Sequence, residues 1–250
     1  MNISLYSIAS SSSGNCYAVS DGKTAILSDC GISLKRILSG LSSLDIPQIK
    51  ALLITHAHGD HIKSAEAVIK SFNIPLYITK DALSESGLSF PGEVNIITPE
   101  TPFAVGGITV TPFSVSHDAS AVAFTFETDS DKASLITDTG IMSEAMLSHL
   151  KGSSGVIIEA NHDVELLKSG SYPYFLKARI KGERGHLSND DCAEACLYLL
   201  SEGTKSFMLA HLSSQNNTPE TAYDTVNARL SRSGKTYTLK TAQKSVPCAL

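Results

Sequence analysis

Residues 55–61 read Thr-His-Ala-His-Gly-Asp-His, directly after the apolar residues 51–54, Ala-Leu-Leu-Ile. The apolar run predicts a buried strand over 51–55. Side chains two positions apart on an extended backbone point the same way, so His56 and His58 can direct their imidazoles at one ion. Imidazole nitrogen is an ordinary ligand of Zn²⁺ and related ions, and the heptapeptide therefore predicts a metal site at the exit of this strand.

The second half of the heptapeptide predicts a second ligand position. Gly59 marks a turn, and a helix is predicted over 61–72. Asp60 and His61 therefore face a different position from the first two histidines. A solvated His-rich turn without metal is the competing interpretation, which this spacing of ligand types disfavours.

The composition is typical of a compact globular protein. At 250 residues with 42% hydrophobic and 18% charged residues, the chain can bury a sizeable core and is not disordered. A formal net charge of -5 excludes a globally basic nucleic-acid coat. Any surface that binds phosphates is therefore expected to be a local patch.

The sequence predicts a cytoplasmic protein. Residues 1–6 lack the basic and apolar regions of a secretory signal, and no run approaches the roughly 18 apolar residues of a membrane span. The five cysteines are odd in number and lack C-x-x-C pairing, so reduced thiols are expected. Cys192 and Cys196 lie one helical turn apart, and buried thiols are a better interpretation than a metal pair. No membrane partner is expected.

Two β-rich halves of the chain, 3–28 and 94–137, each run into predicted helices. This order predicts an α/β protein with two sheets packed face to face and helices outside, a four-layer αββα sandwich. Apart from Ser10–Ser13, no linker, repeat or low-complexity tract interrupts the sequence. Residues 1–250 are therefore predicted to form a single domain.

Further ligand types follow other apolar runs of the sequence. His117, Asp138 and His211 each come just after a predicted strand. One loop cannot close the shells of two metals, so ligands at other strand ends are required, and these three complete the set. A single His at a strand end is more often an ordinary hydrogen-bonded residue, so the interpretation rests on the three together.

With these residues, the chain resembles a metallo-β-lactamase-fold hydrolase over nearly its whole length. The resemblance implies three ligands for each of two metals: His56, His58 and His117 for the first, and Asp60, His61 and His211 for the second. It also implies that Asp138 bridges the metals and that Asp29 supports the metal loop by hydrogen bonding. True β-lactamases of this fold commonly have Cys where Asp138 stands, which argues against antibiotic hydrolysis.

Three further segments resemble the YycJ/WalJ branch of that family, a group of 5′→3′ exonucleases. They are Ser-Ser-Ser-Ser-Gly-Asn-Cys-Tyr at 10–17, Glu-Ala-Asn-His-Asp at 159–163, and the stretch 172–189, from Tyr-Pro-Tyr-Phe-Leu through Gly-His-Leu-Ser-Asn. The first segment is a Ser/Gly turn that is uninformative alone, and the other two carry most of the resemblance. The branch implies a nucleic-acid substrate, with DNA favoured.

A two-metal site of this kind suits hydrolysis of a phosphodiester. Two divalent cations about 3.5–4 Å apart can hold a bridging hydroxide as the nucleophile and stabilise charge on the attacking and leaving oxygens. Asp60 is expected to bind one metal and orient that nucleophile. His186 is the candidate acid for the leaving group, and Glu159 can hold its imidazole protonated. Nitrogen and oxygen ligands without Cys admit Zn²⁺, Mn²⁺ or Fe.

The segment between Glu159 and His186 is predicted to be a loop that contacts the substrate. Its candidate substrate-binding residues are His162, Lys177, Arg179, Lys181 and Arg184. Tyr172, Tyr174 and Phe175 lie among them and offer faces on which a base can stack. An ordinary solvated loop is the alternative, and proximity to His186 in the sequence favours substrate contact.

The preferred function is therefore a dinuclear metal-dependent phosphodiesterase, a 5′→3′ DNA exonuclease. A thioester or lactone hydrolase of the same fold is the alternative, and it would not need the basic residues. A non-catalytic metal-binding or regulatory domain is a third interpretation, which the complete ligand set and the additional acid disfavour. The sequence leaves open the metal, the choice of DNA or RNA, the polarity of digestion and the oligomeric state.

Overall fold

The structure, a computed structural model, describes residues 2–250 as two β-rich halves with helices after each. The strands are β1 (Ser4–Ala9), β2 (Cys16–Ser20), β3 (Ala25–Ser28), β4 (Ile49–Leu53), β5 (Leu76–Thr79), β6 (Val94–Ile97), β7 (Phe103–Val105), β8 (Ile108–Ser114), β9 (Val122–Glu127), β10 (Lys132–Ile136), β11 (Gly155–Glu159), β12 (Ser206–Ala210), β13 (Thr238–Thr241) and β14 (Cys248–Ala249). The helices are α1 (Leu34–Ser43), α2 (Gly59–Ile62), α3 (Ala65–Phe72), α4 (Lys80–Ser86), α5 (Glu144–Leu150), α6 (Val164–Ser169), α7 (Tyr174–Lys181), α8 (Asn189–Ser201) and α9 (Pro219–Leu230). Over the described residues, no helix combines the length and apolar character needed to cross a membrane.

The strands form two sheets. One has the order β14-β1-β2-β3-β4-β5-β6 and the other the order β13-β12-β11-β10-β9-β8-β7. Strands β3 and β4 are parallel, and so are β10, β11 and β12, while β9 runs antiparallel to both β8 and β10. The C-terminal ends of β8, β10, β11 and β12 therefore lie at one edge of their sheet, where the following loops meet.

Apolar side chains between the sheets form the central core. Phe124 and Phe126 of β9 belong to one buried cluster with Leu53 of β4 and Met208 of β12. A second cluster joins α1 and α3 to the outer face of the first sheet, and a third joins α5, α8 and α9 to the outer face of the second. Helices thus cover both outer faces, and the predicted four-layer αββα sandwich is confirmed.

Side-chain caps fix where several outer helices begin. Ser143, Ser188 and Thr218 precede α5, α8 and α9, and each side chain accepts a hydrogen bond from the backbone N–H three residues further on. Pro219 follows in the first turn of α9, where its missing N–H leaves no helical bond unmade. The cap at Ser188 therefore fixes the start of α8 two residues after His186.

Two segments that carry predicted site residues differ from the sequence-based prediction. The helix predicted over 61–72 is interrupted, because the Ser64 N–H donates to the Cys30 carbonyl (3.0 Å) between α2 and α3. The predicted loop between Glu159 and His186 contains α6 and α7. Helix α7 mixes aromatic, basic and apolar residues without a continuous apolar stripe, so the periodicity of the sequence does not reveal it.

Phe126 is fully buried between the sheets, so we expect Phe126→Ala to lower the free energy of unfolding by about 3–5 kcal/mol. The causes are the lost apolar burial and the cavity that the two sheets cannot fill. Equilibrium denaturation in urea, followed by circular dichroism, measures the loss. Ile96→Ala is the control, since that side chain is 51% exposed, and it should change stability by less than about 0.5 kcal/mol. Equal losses in both variants would contradict a core at this position.

Candidate metal and catalytic centre

The predicted ligands meet at the edge of the sandwich where strands of both sheets end. Residues 55–61 follow β4, while His117, Asp138 and His211 follow β8, β10 and β12. Their donor atoms form overlapping groups whose members lie within 4.8 Å of one another. The groups are His56, His58 and His117; Asp60, His61 and His211; His56, His61 and Asp138; and Asp138, Glu159, His186 and His211. The structure thus brings together each of the two ligand sets that the resemblance implied.

The backbone turns sharply where these side chains leave the strands. Asp29, Asp138 and His211 have φ angles of 62°, 57° and 55°, in the left-handed region that residues other than glycine rarely adopt. The His211 N–H donates to Ser10 Oγ at 2.7 Å, and Asn161 Nδ2 donates to the His211 carbonyl at 2.8 Å. These bonds hold the strained residue in the position that directs its imidazole into the centre.

Asp29 and Thr55 each hold one imidazole by its Nδ1 atom. Asp29 accepts a hydrogen bond from the Thr55 N–H at 2.9 Å, and Asp29 Oδ2 lies 2.8 Å from His61 Nδ1. Thr55 Oγ1 lies 3.0 Å from His56 Nδ1. The Nε2 atoms of His56 and His61 are thereby left to face the centre, as in metal sites whose ligand histidines are oriented by a second partner. Asp29 stands where the sequence analysis expected a supporting residue.

Two further imidazoles are oriented in the same way. His211 Nδ1 lies 2.8 Å from Glu159 Oε1, and His117 Nδ1 lies 3.2 Å from the Gly185 carbonyl oxygen. Their Nε2 atoms point towards the other ligands. Fixing one ring nitrogen of a histidine sets both its tautomer and its direction, so these contacts pre-arrange the donor atoms.

Two buried polar atoms without partners among residues 2–250 indicate whether the donor set fits a cation. His56 Nε2 and Asp138 Oδ2 are buried and have no hydrogen-bond partner among the described residues. Leaving such polar atoms unsatisfied in a protein interior costs free energy, so each needs a partner. A divalent cation with nitrogen and oxygen ligands would satisfy both atoms. The residues present therefore fit a divalent metal ion.

Asp138 and Asp60 lie among the imidazoles at different depths. Asp138 Oδ2 lies 3.3 Å from His61 Nε2 without forming a hydrogen bond, and its Oδ1 is 3.5 Å from His211 Nδ1 and 3.9 Å from His117 Nε2. Asp60 Oδ2 is 3.4 Å from His61 Nε2 and 3.5 Å from His211 Nε2. Asp138 thus contacts histidines of both ligand sets, whereas Asp60 contacts those of one set only.

The electrostatics of the centre favour positive charge. Burial by itself lowers the pKa of His211, but Asp138, Asp60 and Glu159 outweigh burial and raise that pKa to about 10. Burial raises the pKa of Asp138, but the neighbouring imidazoles, led by His211, outweigh it and hold the pKa well below its ordinary range. The centre stabilises positive charge, which either protons or a metal cation can supply.

Asn15 is a residue of the centre that the sequence analysis missed. Its buried Nδ2 lies 3.3 Å from Asp60 Oδ2 and 3.1 Å from His61 Nε2, and its backbone N–H donates to the Asp60 carbonyl at 2.8 Å. Gly31 approaches the same carbonyl so closely that a Cβ there would lie 1.6 Å from the oxygen. The turn of residues 10–17 therefore holds the metal loop in place by hydrogen bonds. Its Ser-Gly-Asn composition is common in turns, so the sequence alone did not indicate this role.

His186 and Glu159 form a hydrogen-bonded pair beside the ligands. His186 Nδ1 lies 2.8 Å from Glu159 Oε1, and Glu159 Oε2 accepts a hydrogen bond from the Thr139 N–H at 2.9 Å. Burial raises the pKa of Glu159, but the charge and hydrogen bond of His186 outweigh it and lower the pKa to about 2. Burial lowers the pKa of His186, whereas the Glu159 carboxylate outweighs that effect and raises it. The pair therefore favours a charged imidazole, 22% exposed, at the margin of the centre.

Asp118 is a second residue of the site that the sequence analysis did not single out. Its Oδ1 lies 3.3 Å from His117 Nε2 and 3.7 Å from His58 Nε2. Its Oδ2 accepts a hydrogen bond from Arg179 Nε at 2.6 Å. Asp118 thus joins the metal loop to α7, and the signal for it was its position next to the predicted ligand His117.

A cavity of about 270 Å³ opens beside the centre. Its lining comes from segments far apart in the sequence and includes Ser12, Asp118, Tyr172, Arg179, His186 and Ser213. Arg184 also lies close by, since its Nε donates to the His117 carbonyl at 2.8 Å. Two of the predicted substrate-binding residues, Arg179 and Arg184, are therefore at the mouth of the centre.

The other predicted substrate-binding residues lie elsewhere. Lys177 donates from Nζ to the Lys168 carbonyl at 2.7 Å, and Lys181 lines a different cavity, beside Gly140 and Met142. His162 is only 2% exposed, and burial lowers its pKa to about 4. The structure therefore places His162 in the interior, where its carbonyl accepts a hydrogen bond from the Asn189 N–H at 2.9 Å, and this burial does not favour the expected phosphate contact.

Comparisons with known proteins identify the family of this chain. The family profile described as "Beta-lactamase superfamily domain" matches residues 24–212. Exodeoxyribonuclease WalJ of Streptococcus pneumoniae serotype 2 (strain D39) is 39% identical over 237 residues, which cover 91% of this chain and 88% of that protein. Exodeoxyribonuclease YycJ of Bacillus anthracis is 36% identical over 239 residues, which cover 91% of this chain and 89% of that protein.

A solved structure shares the fold. The metallo-β-lactamase fold protein YhfI of Bacillus subtilis superposes with a TM-score of 0.77 at 14% sequence identity, over 99% of each chain. The chain therefore belongs to the metallo-β-lactamase superfamily and, within it, to the YycJ/WalJ branch. The family resemblance drawn from residues 55–61, 159–163 and 172–189 is confirmed.

We expect Asp29→Asn to weaken metal binding by about 10- to 100-fold, because the amide loses the charge that orients His61 and steadies the Thr55 backbone. Titration of the purified protein against Zn²⁺ in competition with a chromogenic chelator measures the affinity. Glu66→Gln is the matched control, since its side chain is 62% exposed and pairs only with Lys70 among the ion pairs of the described residues. Unchanged Zn²⁺ affinity in Asp29→Asn would show that Asp29 does not support the metal loop.

Proposed function

We propose that this protein is a dinuclear metal-dependent phosphodiesterase that acts as a 5′→3′ DNA exonuclease. The observation that carries the proposal is the His186–Glu159 contact at the margin of the ligand cluster. An imidazole held in its charged form beside a metal site supplies the proton that the leaving oxygen of a phosphodiester needs. The names of the relatives, both exodeoxyribonucleases, support DNA as the substrate. The 5′→3′ polarity rests on the resemblance to the YycJ/WalJ branch.

Two divalent cations are proposed for the centre. His56, His58 and His117 would hold one, Asp60, His61 and His211 would hold the other, and Asp138 would bridge them. When bound, the cations would activate water for attack and offset the negative charge of the phosphodiester. Donors that combine nitrogen and oxygen without thiolate suit Zn²⁺ or Mn²⁺, and Fe fits as well.

The other residues of the centre would act on the proton, the attacking water and the substrate phosphates. His186 has its Nδ1 engaged by Glu159, so Nε2 is the atom that carries a proton towards the leaving oxygen. Glu159 accepts from both His186 and His211 through the same oxygen, and therefore aligns the acid with the metal centre. Asp60 is a quarter exposed and would orient the attacking water. Arg179 and Arg184 at the mouth would neutralise the flanking phosphates.

We also infer that residues 1–250 work as one domain in the cytoplasm. One apolar cluster between the sheets draws side chains from both halves of the chain, which supports a single folding unit. All five cysteines are free, and the Sγ atoms of Cys192 and Cys196 lie 3.9 Å apart as buried thiols. Reduced thiols are typical of the cytoplasm.

We expect His186→Ala to reduce the turnover of DNA by about 10²- to 10⁴-fold while both metals stay bound, because only the proton donor is removed. A nuclease assay on metal-reconstituted protein measures turnover, and metal analysis of the same sample counts the ions. His149→Ala is the matched control, since His149 stacks on Phe113 and pairs with Glu100. Full activity in His186→Ala would exclude His186 from the mechanism.

Labelled substrates test the reaction itself. Metal-reconstituted protein should release mononucleotides from the 5′ end of DNA, and a chelator should abolish release because the bound cations would activate the attacking water. DNA and RNA labelled at either end, digested in parallel, report the polarity and the preferred sugar. Hydrolysis of a thioester or a lactone without any cleavage of DNA or RNA would contradict the proposal.

A further inference from the structure

Helix α7 carries an aromatic surface that the catalytic centre does not use. Tyr174 and Phe175, in its first turn, are 87% and 73% exposed. The other exposed large hydrophobic side chains of residues 2–250 lie between 38% and 54%. Two adjacent aromatic rings so fully in solvent forgo the free energy of burial, and an exposed aromatic patch of this kind is a candidate binding surface. We call Tyr174, Phe175 and Lys177 the α7 platform.

The charge of α7 indicates the kind of partner. Its ionisable side chains apart from Tyr174 are Lys177, Arg179 and Lys181, all basic, on a chain whose formal net charge is -5. Acidic residues flank the helix at Asp118, which pairs with Arg179, and at Glu183 beyond its end. Arg179 has five N–H donors and uses only some of them in its contacts with Asp118. The helix therefore complements a polyanion that also offers flat apolar faces.

The α7 platform is continuous with the cavity beside the centre. Leu176 and Arg179 line that cavity together with His186. Phe175 precedes Arg179 by four residues, so the two side chains lie on the same side of the helix. The Arg179–Asp118 contact fixes this side of α7 against His117. A strand bound at His186 would therefore meet Phe175 as it leaves the cavity.

We propose that the α7 platform binds an unpaired segment of the DNA strand, with bases stacked on Phe175 and Tyr174 and phosphates against Lys177. The Nζ of Lys177 donates one of its three hydrogens to the Lys168 carbonyl, and the other two are available to a phosphate. Stacking on a side chain requires a base with a free face, and the bases inside a duplex have none. The inference rests on the proposed nuclease function for the strand that enters the centre. It adds to that function a preference for substrates whose strand is single-stranded next to the site of cleavage.

The test compares DNA binding by the metal-loaded wild-type protein with binding by Phe175→Ala and by Tyr174→Ala/Phe175→Ala. Fluorescence anisotropy with a labelled phosphorothioate oligothymidylate, which resists cleavage, reports the Kd. We expect the Kd to rise about 10-fold or more in each variant, because each loses a stacking face. Phe175→Trp should keep wild-type affinity, since it restores the face. Leu88→Ala, at a side chain 51% exposed, is the matched control and should leave the Kd unchanged.

Two further measurements distinguish DNA binding at the α7 platform from a defect in the catalytic centre and from self-association. The ratio of DNA turnover to bis(4-nitrophenyl) phosphate turnover should fall in the platform variants, because the small diester has no neighbouring bases. If the wild-type protein cleaves neither compound, the nuclease proposal fails. The Kd comparison still shows whether the α7 platform binds DNA. An unchanged Kd in both variants would overturn the inference. Sedimentation velocity that shows a wild-type dimer lost in Phe175→Ala, with the Kd unchanged, would assign the surface to a second copy of the chain instead.

Discussion

The burial of carboxylates together with imidazoles at one edge of the sandwich is the constraint on which the rest of the structure depends. Asp138, Glu159 and His211 are almost inaccessible to solvent, and a buried charge is costly unless opposite charges and hydrogen bonds surround it. The strand ends, the left-handed turns and the clamp at Asn15 place each group against its partners. An arrangement that stabilises positive charge in this way is also suited to hold divalent cations, because they replace the protons that the imidazoles would otherwise carry.

Glu159 connects the two chemical roles of the centre. One of its oxygens lies 2.8 Å from both His186 and His211, and the other accepts from the Thr139 backbone. The proposed proton donor and a metal-ligand candidate are therefore aligned by a single buried carboxylate. A change at Glu159 would disturb both together, whereas a change at His186 should leave the two proposed ligand sets in place. Glu159, the last residue of β11, therefore lies in the centre although it belongs to neither of the two ligand sets.

Most of the fold and of the ligand cluster could be predicted from the sequence, because both follow local rules. Strand periodicity placed His56 and His58 side by side, and apolar runs marked the strand ends before Asp138 and His211. Asn15 was missed because it touches the centre only through contacts between distant parts of the chain, whereas Asp118 stands next to the predicted ligand His117 and could have been found there. Helix α7 was missed for another reason, since its residues lack the apolar period by which a helix is recognised.

The sequence by itself determined the ligand types, their spacing and the family, because these depend on neighbouring residues and on motifs that persist along the chain. Tertiary structure alone decided which ring nitrogen of each histidine faces the centre, since that follows from partners such as Asp29. It also moved His162 into the interior, paired Arg179 with Asp118 and left Phe175 in solvent. These outcomes depend on how two sheets and their outer helices pack, and packing between segments remote in sequence leaves no local pattern to read.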